Sequence, residues 1–508
     1  MNRKITTSIE ILLIALSIIG MSIYFYVALS RIAYPFTIEW VESNVFLHVL
    51  RVLSGKPIFI PPSYDFIPMI YTPLYYYVAA IFARVTGQIM FSMRLVSIFA
   101  SLLIFLMIYA FCRVIKISAQ SSLIAVGLFA ASYAATGFWF DVGRVDTLSL
   151  ALLLIGYVLT FAQTKRENIF GVIAGIVFFL SFATKQSALF AFPFLISYLL
   201  LKRRWMKALW TAISFILSVG LFVVGMNIVS NGWFWIYVFE IPTAHPISWR
   251  MVTQDIWISF IFPKFAGLIL TIILGVIVLL MGGDRKESNN FVVIVFSFVV
   301  PLSIISIVSM GKQWGYLNGL MPIAIAFSVM GGEAYHRSAI FLNNASDWKV
   351  LYIFVSASLI LQFIAFRYDF RTQIPTRDTW AAGERILDLL RASKDPIFVP
   401  TSAYLLYMVG QPTHFQTSSL GDLNLAAQNN PAIMELSKPY LDKINAYLTS
   451  NSIKTIILSN ANWYDKVFST ENGYNCESLL NNHAPLTTVT GAISYLNRIC
   501  HFQGEPIQ

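Results

Sequence analysis

The sequence predicts an α-helical integral membrane protein: about eleven transmembrane helices, further helices on the outer membrane surface, and a small C-terminal α/β domain. Three observations carry that prediction. Of 508 residues, 57% are hydrophobic and 12% charged, whereas soluble chains carry about 25% charge. Apolar runs near the roughly 20 residues needed to span a bilayer recur along most of the chain. After residue 366 charged and amide residues become common and short strand-like runs appear. The formal charge of +10 would suggest nucleic acid in a soluble protein. Here Lys and Arg sit at the ends of apolar runs, where they act as topology anchors, and no nucleic-acid partner is expected.

The first apolar run, Ile9 to Ser30, follows Arg3 and Lys4. It is too long for a signal-peptide core and lacks a small-residue cleavage site, so it reads as a retained anchor. Further candidate helices cover 92–112, 119–138, 146–163, 169–184, 187–201, 208–229, 263–281, 291–310, 316–333 and 349–366. Between them lie the basic clusters Arg113/Lys116, Lys165/Arg166, Lys202/Arg203/Arg204/Lys207, Arg285/Lys286 and Arg337/Lys349, which belong on the cytoplasmic side.

The stretch "MIYTPLYYYVAAIFARVTG", Met69 to Gly87, tests that ledger, because counting it as a span would turn every later cluster outward. About 14 residues after Pro73 make roughly 20 Å of helix, against a hydrocarbon core near 30 Å. Tyr75, Tyr76 and Tyr77 suit the headgroup level. The stretch is therefore expected to lie on the outer surface. The N-terminus is then cytoplasmic, in a plasma (inner) membrane. The outer loops are 31–91, 139–145, the surroundings of Lys185, 230–262 and 311–316. Residues 1–366 form the transmembrane domain and 367–508 an outer-face α/β domain, with strands at 396–400 and 453–459 and helices near 379–393 and 432–449.

Candidate chemistry gathers in those outer loops. In "IEWVESNVFLHVLRVLSGKP" an amphipathic helix ends at Gly55 and Pro57, and Glu39 and Glu42 share one face. Solvation of both acids is the plain alternative. In "GFWFDVGRVDTLSL", Asp141, Arg144 and Asp146 stand where one apolar helix ends and the next begins. Charges so close to hydrocarbon point to function, although Asp146 could also cap its helix and an Asp–Arg pair could be structural. Lys185 and Gln186, in "FATKQSALF", break the positive-inside pattern that the other clusters obey; a phosphate at the outer leaflet explains this better than a snorkelling side chain. Glu240 and His245 in the fourth outer loop, and Lys312, Gln313, Trp314 and Tyr316 in "GKQWGYLNG", complete the set. There is no CxxC, HExxH or glycine-rich nucleotide loop. Cys112 falls in a helix, while Cys476 and Cys500 would share a disulfide-permissive compartment.

The order of these pieces resembles a known group: one anchor helix, a long outer loop with an acid-bearing helix ending in "YTPLYYYVAA", then "RVDTLSLALLL" and "FATKQSAL". It is similar to the GT-C glycosyltransferases of the protein O-mannosyltransferase and lipid A aminoarabinose transferase type, over roughly residues 8–366. The resemblance implies a GT-C-type bundle. It also implies transfer of a sugar from a polyprenyl-phosphate donor to a lipid, glycan or protein acceptor hydroxyl on the non-cytoplasmic face. The essential first-loop acid of the family corresponds to Glu42 or Glu39, its second-loop acid to Asp146, and its lysine after the fifth span to Lys185. The family's "KPPL" stands here as Tyr71-Thr72-Pro73-Leu74, so its phosphate-contacting lysine is absent, and Ile70 replaces a glutamate that holds metal in some members. Both departures weaken the case for a bound divalent metal, no other cofactor is implied, and Arg144 and Lys185 remain as phosphate partners. Glu42, deeper in the amphipathic helix than Glu39, is the expected base; Asp141, Gln186, Tyr71, His245 and Lys312 are expected substrate contacts. A multi-span transporter would instead need paired repeats and broken helices at the midplane, and a ligase of envelope polysaccharide assembly would lack the early acid-bearing loop.

Overall fold

The computed structural model describes residues 3–282, 285–341, 346–393, 395–450, 452–459, 464, 467–479 and 496–503. The side chains of Arg3, Lys4, Arg285 and Lys286 lie outside that description. The chain opens with α1 (Arg3–Arg31), then α2 (Glu42–Leu53) and α3 (Leu74–Thr86) in the first long loop. There follow α4 (Ile89–Val114), α5 (Ala119–Ala131), α6 (Val145–Phe161), α7 (Glu167–Thr184), a 3₁₀ turn Gln186–Ala191 running into α8 (Phe192–Leu201), and α9 (Trp205–Val229). Helical segments over Met251–Met281, Ser288–Gly311 and Leu317–Phe341 and the helix Ser346–Ala365 complete the bundle.

A helix thus forms at every expected place, but the expectation of about eleven spans is not met by length alone. Among the described residues seven helices are long and apolar enough to cross a membrane, and an eighth is added if Lys349–Ala365 and Phe370–Ala392, which meet at 50°, are one span. Ala119–Ala131, Val145–Phe161 and Gln186–Leu201 fall short. Each stops at or begins from a polar turn packed inside the protein, the setting in which irregular backbone is tolerated near membrane depth. The helix expected from 263 begins at Met251, within the stretch read as a loop, and bends at Phe265.

Close helix contacts use small residues. A Cβ on Gly175 of α7 would lie 2.5 Å from the Thr211 carbonyl oxygen of α9. At one end of the bundle basic side chains close the turns. Arg204 donates to Glu167 and to the Thr160 and Ala162 carbonyls, and Lys207 donates to the Leu159 and Ala162 carbonyls.

The C-terminal segment covers the opposite end. Its sheet has strands β1 (Ile397–Phe398), β2 (Thr455–Ser459), β3 (Tyr474–Ser478) and β4 (Leu496–Phe502) in the order β1-β2-β4-β3. β1 and β2 are parallel and the other pairs antiparallel. Cys476 and Cys500 face each other across β3 and β4 and are joined by a disulfide. This segment is tied to the first loop: Thr37 N–H donates to the Tyr404 hydroxyl, Asn44 donates to the Ser418 and Ser419 hydroxyls, and Phe415 N–H donates to the Tyr64 carbonyl. One hydrophobic core runs from Phe36 and Phe46 into Tyr404, Phe398 and Phe415 without a break.

Candidate active site

The first loop does not fold as its pattern suggests. α2 begins at Glu42, and Glu39 lies in the turn before it. The stabilising positive end of the helix therefore acts on Glu42 rather than on Glu39. Two layers of charge form beneath the C-terminal segment, and the first is saturated. Glu42 accepts from Arg94 Nε at 2.9 Å and Nη2 at 2.8 Å, and from the backbone N–H of Gly143 and Ile38, each at 2.9 Å. These bonds occupy about four acceptor sites, all that a carboxylate has. Arg94 spends its remaining donors on the carbonyls of Arg31, Tyr34 and Phe36. Gly143 is required here, since a Cβ would lie 3.0 Å from Glu42 Oε1 and 2.9 Å from Met93. Beside this pair, Asp141 accepts from Arg31 Nε at 2.6 Å and from the Tyr133 hydroxyl at 2.5 Å. The geometry therefore argues against the expected roles of both residues: Glu42 has no free lone pair for a base, and Asp141 is held as the partner of Arg31.

The second layer is different. Arg144 Nη1 donates to Glu39 Oε2 at 3.0 Å, and Lys185 Nζ to Asp146 Oδ1 at 2.7 Å. Tyr71 stands between the two cations, its ring centroid 5.9 Å from the Arg144 guanidinium and 5.8 Å from Lys185 Nζ. The Trp139 ring centroid lies 5.5 Å from the same guanidinium. Asn318 donates to Asp146, and Gln186 donates to the Ile70 and Val238 carbonyls. Four buried polar atoms of this layer have no partner among the described residues: Arg144 Nε, Asp146 Oδ2, Gln186 Oε1 and Trp139 Nε1. An unmet buried group costs about 1–3 kcal/mol, so such a concentration marks a place a polar ligand can fill. Burial pushes the Glu39 carboxyl above its ordinary value, partly offset by Arg144 and the Val41 N–H. Among the described residues no three His, Cys, Asp or Glu side chains are grouped to hold a metal ion.

The structure thus gathers Glu39, Tyr71, Arg144, Asp146, Lys185 and Gln186, and sets Glu42 and Asp141 in the layer behind. His245 and Lys312 are elsewhere, at the seam with the C-terminal segment: His245 Nε2 donates to the Asp422 carbonyl at 3.0 Å, and Lys312 donates to the Pro242 carbonyl. Sequence reasoning missed Arg31, Arg94, Trp139, Asn318 and Asp422. Arg31 and Arg94 carried a usable signal, being cations at the wrong end of apolar runs for the positive-inside pattern. Asp422 carried none, for only tertiary packing brings it near Arg144.

Comparison with known proteins places this architecture. The family model described as dolichyl-phosphate-mannose-protein mannosyltransferase matches residues 70–229, the stretch that contributes Tyr71, Arg144, Asp146, Lys185 and Gln186. The crystal structure of ArnT from Cupriavidus metallidurans bound to undecaprenyl phosphate is similar over 97% of this chain and 98% of that one, at 11% identity and a TM-score of 0.62. The apo state of the same protein gives 0.60 at 11% identity, covering 95% and 97%. An oligosaccharyltransferase from Archaeoglobus fulgidus gives 0.42 at 10% identity over 87% of this chain and 69% of that one. A comparison with curated proteins finds no match. The chain has the GT-C-type fold of ArnT over nearly its whole length, and about a third of it matches the mannosyltransferase family model.

Proposed function

We propose that this protein transfers a sugar from a polyprenyl-phosphate donor to an acceptor hydroxyl on the non-cytoplasmic face of the plasma membrane. The observation that carries the reading is the unsaturated layer around Tyr71, where two cations with spare donors stand beside two carboxylates with spare lone pairs. Lys185 uses one of its three donors on Asp146, and Arg144 keeps Nε free. Both can give charge-assisted hydrogen bonds to the donor's phosphate. Tyr71 and Gln186 belong to the same layer.

In the reaction the acceptor oxygen attacks the anomeric carbon, the bond from that carbon to the phosphate oxygen breaks, and the lipid phosphate leaves with the electron pair. The hydroxyl proton passes to a carboxylate. Glu39 replaces Glu42 as the proposed base: each of its oxygens accepts one protein hydrogen bond, and burial raises its carboxyl toward the working pH, where a base is most effective. Asp146, with Oδ2 open, orients the acceptor. Arg144 and Lys185 meet the charge developing on the leaving phosphate.

The test is incubation of the purified protein with labelled polyprenyl-phosphate sugars. Consumption of one of them, lost in Glu39→Gln and Asp146→Asn, is expected; a folded protein that consumes none overturns the reading. Orientation is tested by single cysteines at the exposed positions Lys56 and Arg203 in a cysteine-free background. An impermeant thiol reagent is expected to label 56 and spare 203.

A further inference from the structure

Asp422 is the acid that the proposed chemistry leaves unused. It lies in the helix Thr417–Asn429 of the C-terminal segment, within electrostatic reach of Arg144. Its side chain is 19% exposed, and the nearest basic side-chain nitrogen is His245 Nε2, 3.8 Å from Oδ1. That nitrogen already donates to Asp422's own carbonyl, and burial pushes the imidazole below its ordinary value. Among the described residues the carboxylate accepts no hydrogen bond. Burial pushes it up to about 7, with Arg144 acting in the other direction. A carboxylate held so, without donors but open to solvent, can take hydrogen-bond donors from a ligand, hydroxyl groups among them.

The surroundings suit such a ligand. Trp314 is 59% exposed and takes a left-handed backbone, φ 68°, a conformation that costs free energy in a bulky residue. A membrane-interface tryptophan would face lipid. This one lies against the C-terminal segment: a Cβ on Gly421 would be 3.4 Å from its indole, and its ring centroid is 6.2 Å from that of His245. His245 also lines a cleft of about 470 Å³, together with Thr243, Trp249, Asn429 and Asn430 among others, a size within the range of small-molecule sites. Trp249 is 70% exposed. Asn429 donates to the Leu425 carbonyl and Asn430 accepts from Ala432 N–H, which leaves one amide with a free acceptor and the other with free donors.

We propose that this seam is the acceptor subsite and that its ligand is a saccharide: apolar sugar faces lie on Trp314 and Trp249, and Asp422, Asn429 and Asn430 take hydroxyl groups. The proposal rests on the glycosyl-transfer reading and gives its acceptor a chemical class. The rim combines flat aromatic surfaces, which cover the C–H face of a sugar ring, with side-chain oxygens and amides for its hydroxyl edge. A bare lipid tail would leave those polar groups unpaired.

The test measures binding of methyl hexopyranosides, methyl pentopyranosides and their disaccharides to the full-length protein in detergent, with a threonine-rich peptide as a second arm. Saccharide binding is expected to weaken about tenfold or more in Asp422→Leu and roughly threefold to tenfold in Trp314→Ala, with recovery in Trp314→Phe. Unchanged thermal unfolding and unchanged polyprenyl-phosphate binding in each variant separate these losses from misfolding. No saccharide binding, binding of the peptide alone, or equal saccharide affinity in all variants overturns the proposal. Saccharide binding that follows these variants in a protein that consumes no sugar donor would keep the subsite and remove the transferase reading.

Discussion

Two charged layers lie side by side beneath the C-terminal segment, and both are buried. In one, Arg94–Glu42 and Arg31–Asp141 are closed by carbonyls, backbone N–H groups and the Tyr133 hydroxyl. In the other, Arg144–Glu39 and Lys185–Asp146 leave Arg144 Nε and Asp146 Oδ2 without partners. Burial and pairing are alike, so neither separates structure from function here. The difference is in unspent hydrogen-bonding capacity. A saturated ion pair can hold an element in place, because nothing is gained by moving it. An unsaturated one remains costly until a ligand arrives.

The largest effect that sharpens this contrast concerns turnover. Glu39→Gln is expected to lower transfer by about 10²–10⁴-fold, and Asp146→Asn, which removes an orienting group, by less, both with little change in thermal unfolding, whereas a comparable loss of stability would assign these acids to the closed layer. The Glu39 carboxyl is raised by burial, so the folded chain keeps its proton to higher pH than the unfolded chain does. The stability it contributes is full below the unfolded value and declines as pH rises through the folded one. Turnover should rise over that same limb, which lies above the ordinary carboxylate range, and the limb should vanish in Glu39→Gln.

Next in size is the closed layer. Arg94→Ala leaves Glu42 buried and unpaired, a loss expected to reach about 3–5 kcal/mol and to be read as early thermal unfolding in detergent. A variant that melts like the parent but loses activity would reverse the comparison. The disulfide, closing a loop with a sequence separation of 24, is expected to contribute about 3 kcal/mol to the C-terminal segment in the chain-entropy model. Intact mass before and after alkylation should show one modified thiol, on Cys112, only after denaturation; two freely alkylated thiols in the native protein would refute the bond. The smallest effect belongs to Lys185→Gln, expected to raise the donor KM by roughly tenfold or more, as the loss of one charge-assisted bond implies. A fall in kcat at unchanged KM would move Lys185 from donor binding to chemistry.

The amino-acid sequence by itself determined the helical membrane class and the place of most of the long helices, because these follow from apolar run length. It also determined which short stretches carry polar residues where apolar helices meet, so Arg144, Asp146, Lys185 and Gln186 were legible as candidates. The order of Glu39 and Glu42 was not. Their spacing puts both on one helix face, yet the helix begins only at Glu42, and Arg94, far along the chain, claims that carboxylate. β3 and β4 were equally hidden, since their side chains alternate weakly and their pairing depends on contacts distant in sequence. Asp422 became a neighbour of Arg144 and His245 only when the C-terminal segment packed against the first loop. Local pattern reports propensity and periodicity. Which polar atoms end up satisfied, and which are left for a ligand, is a property of the folded packing, and only the tertiary structure decided it.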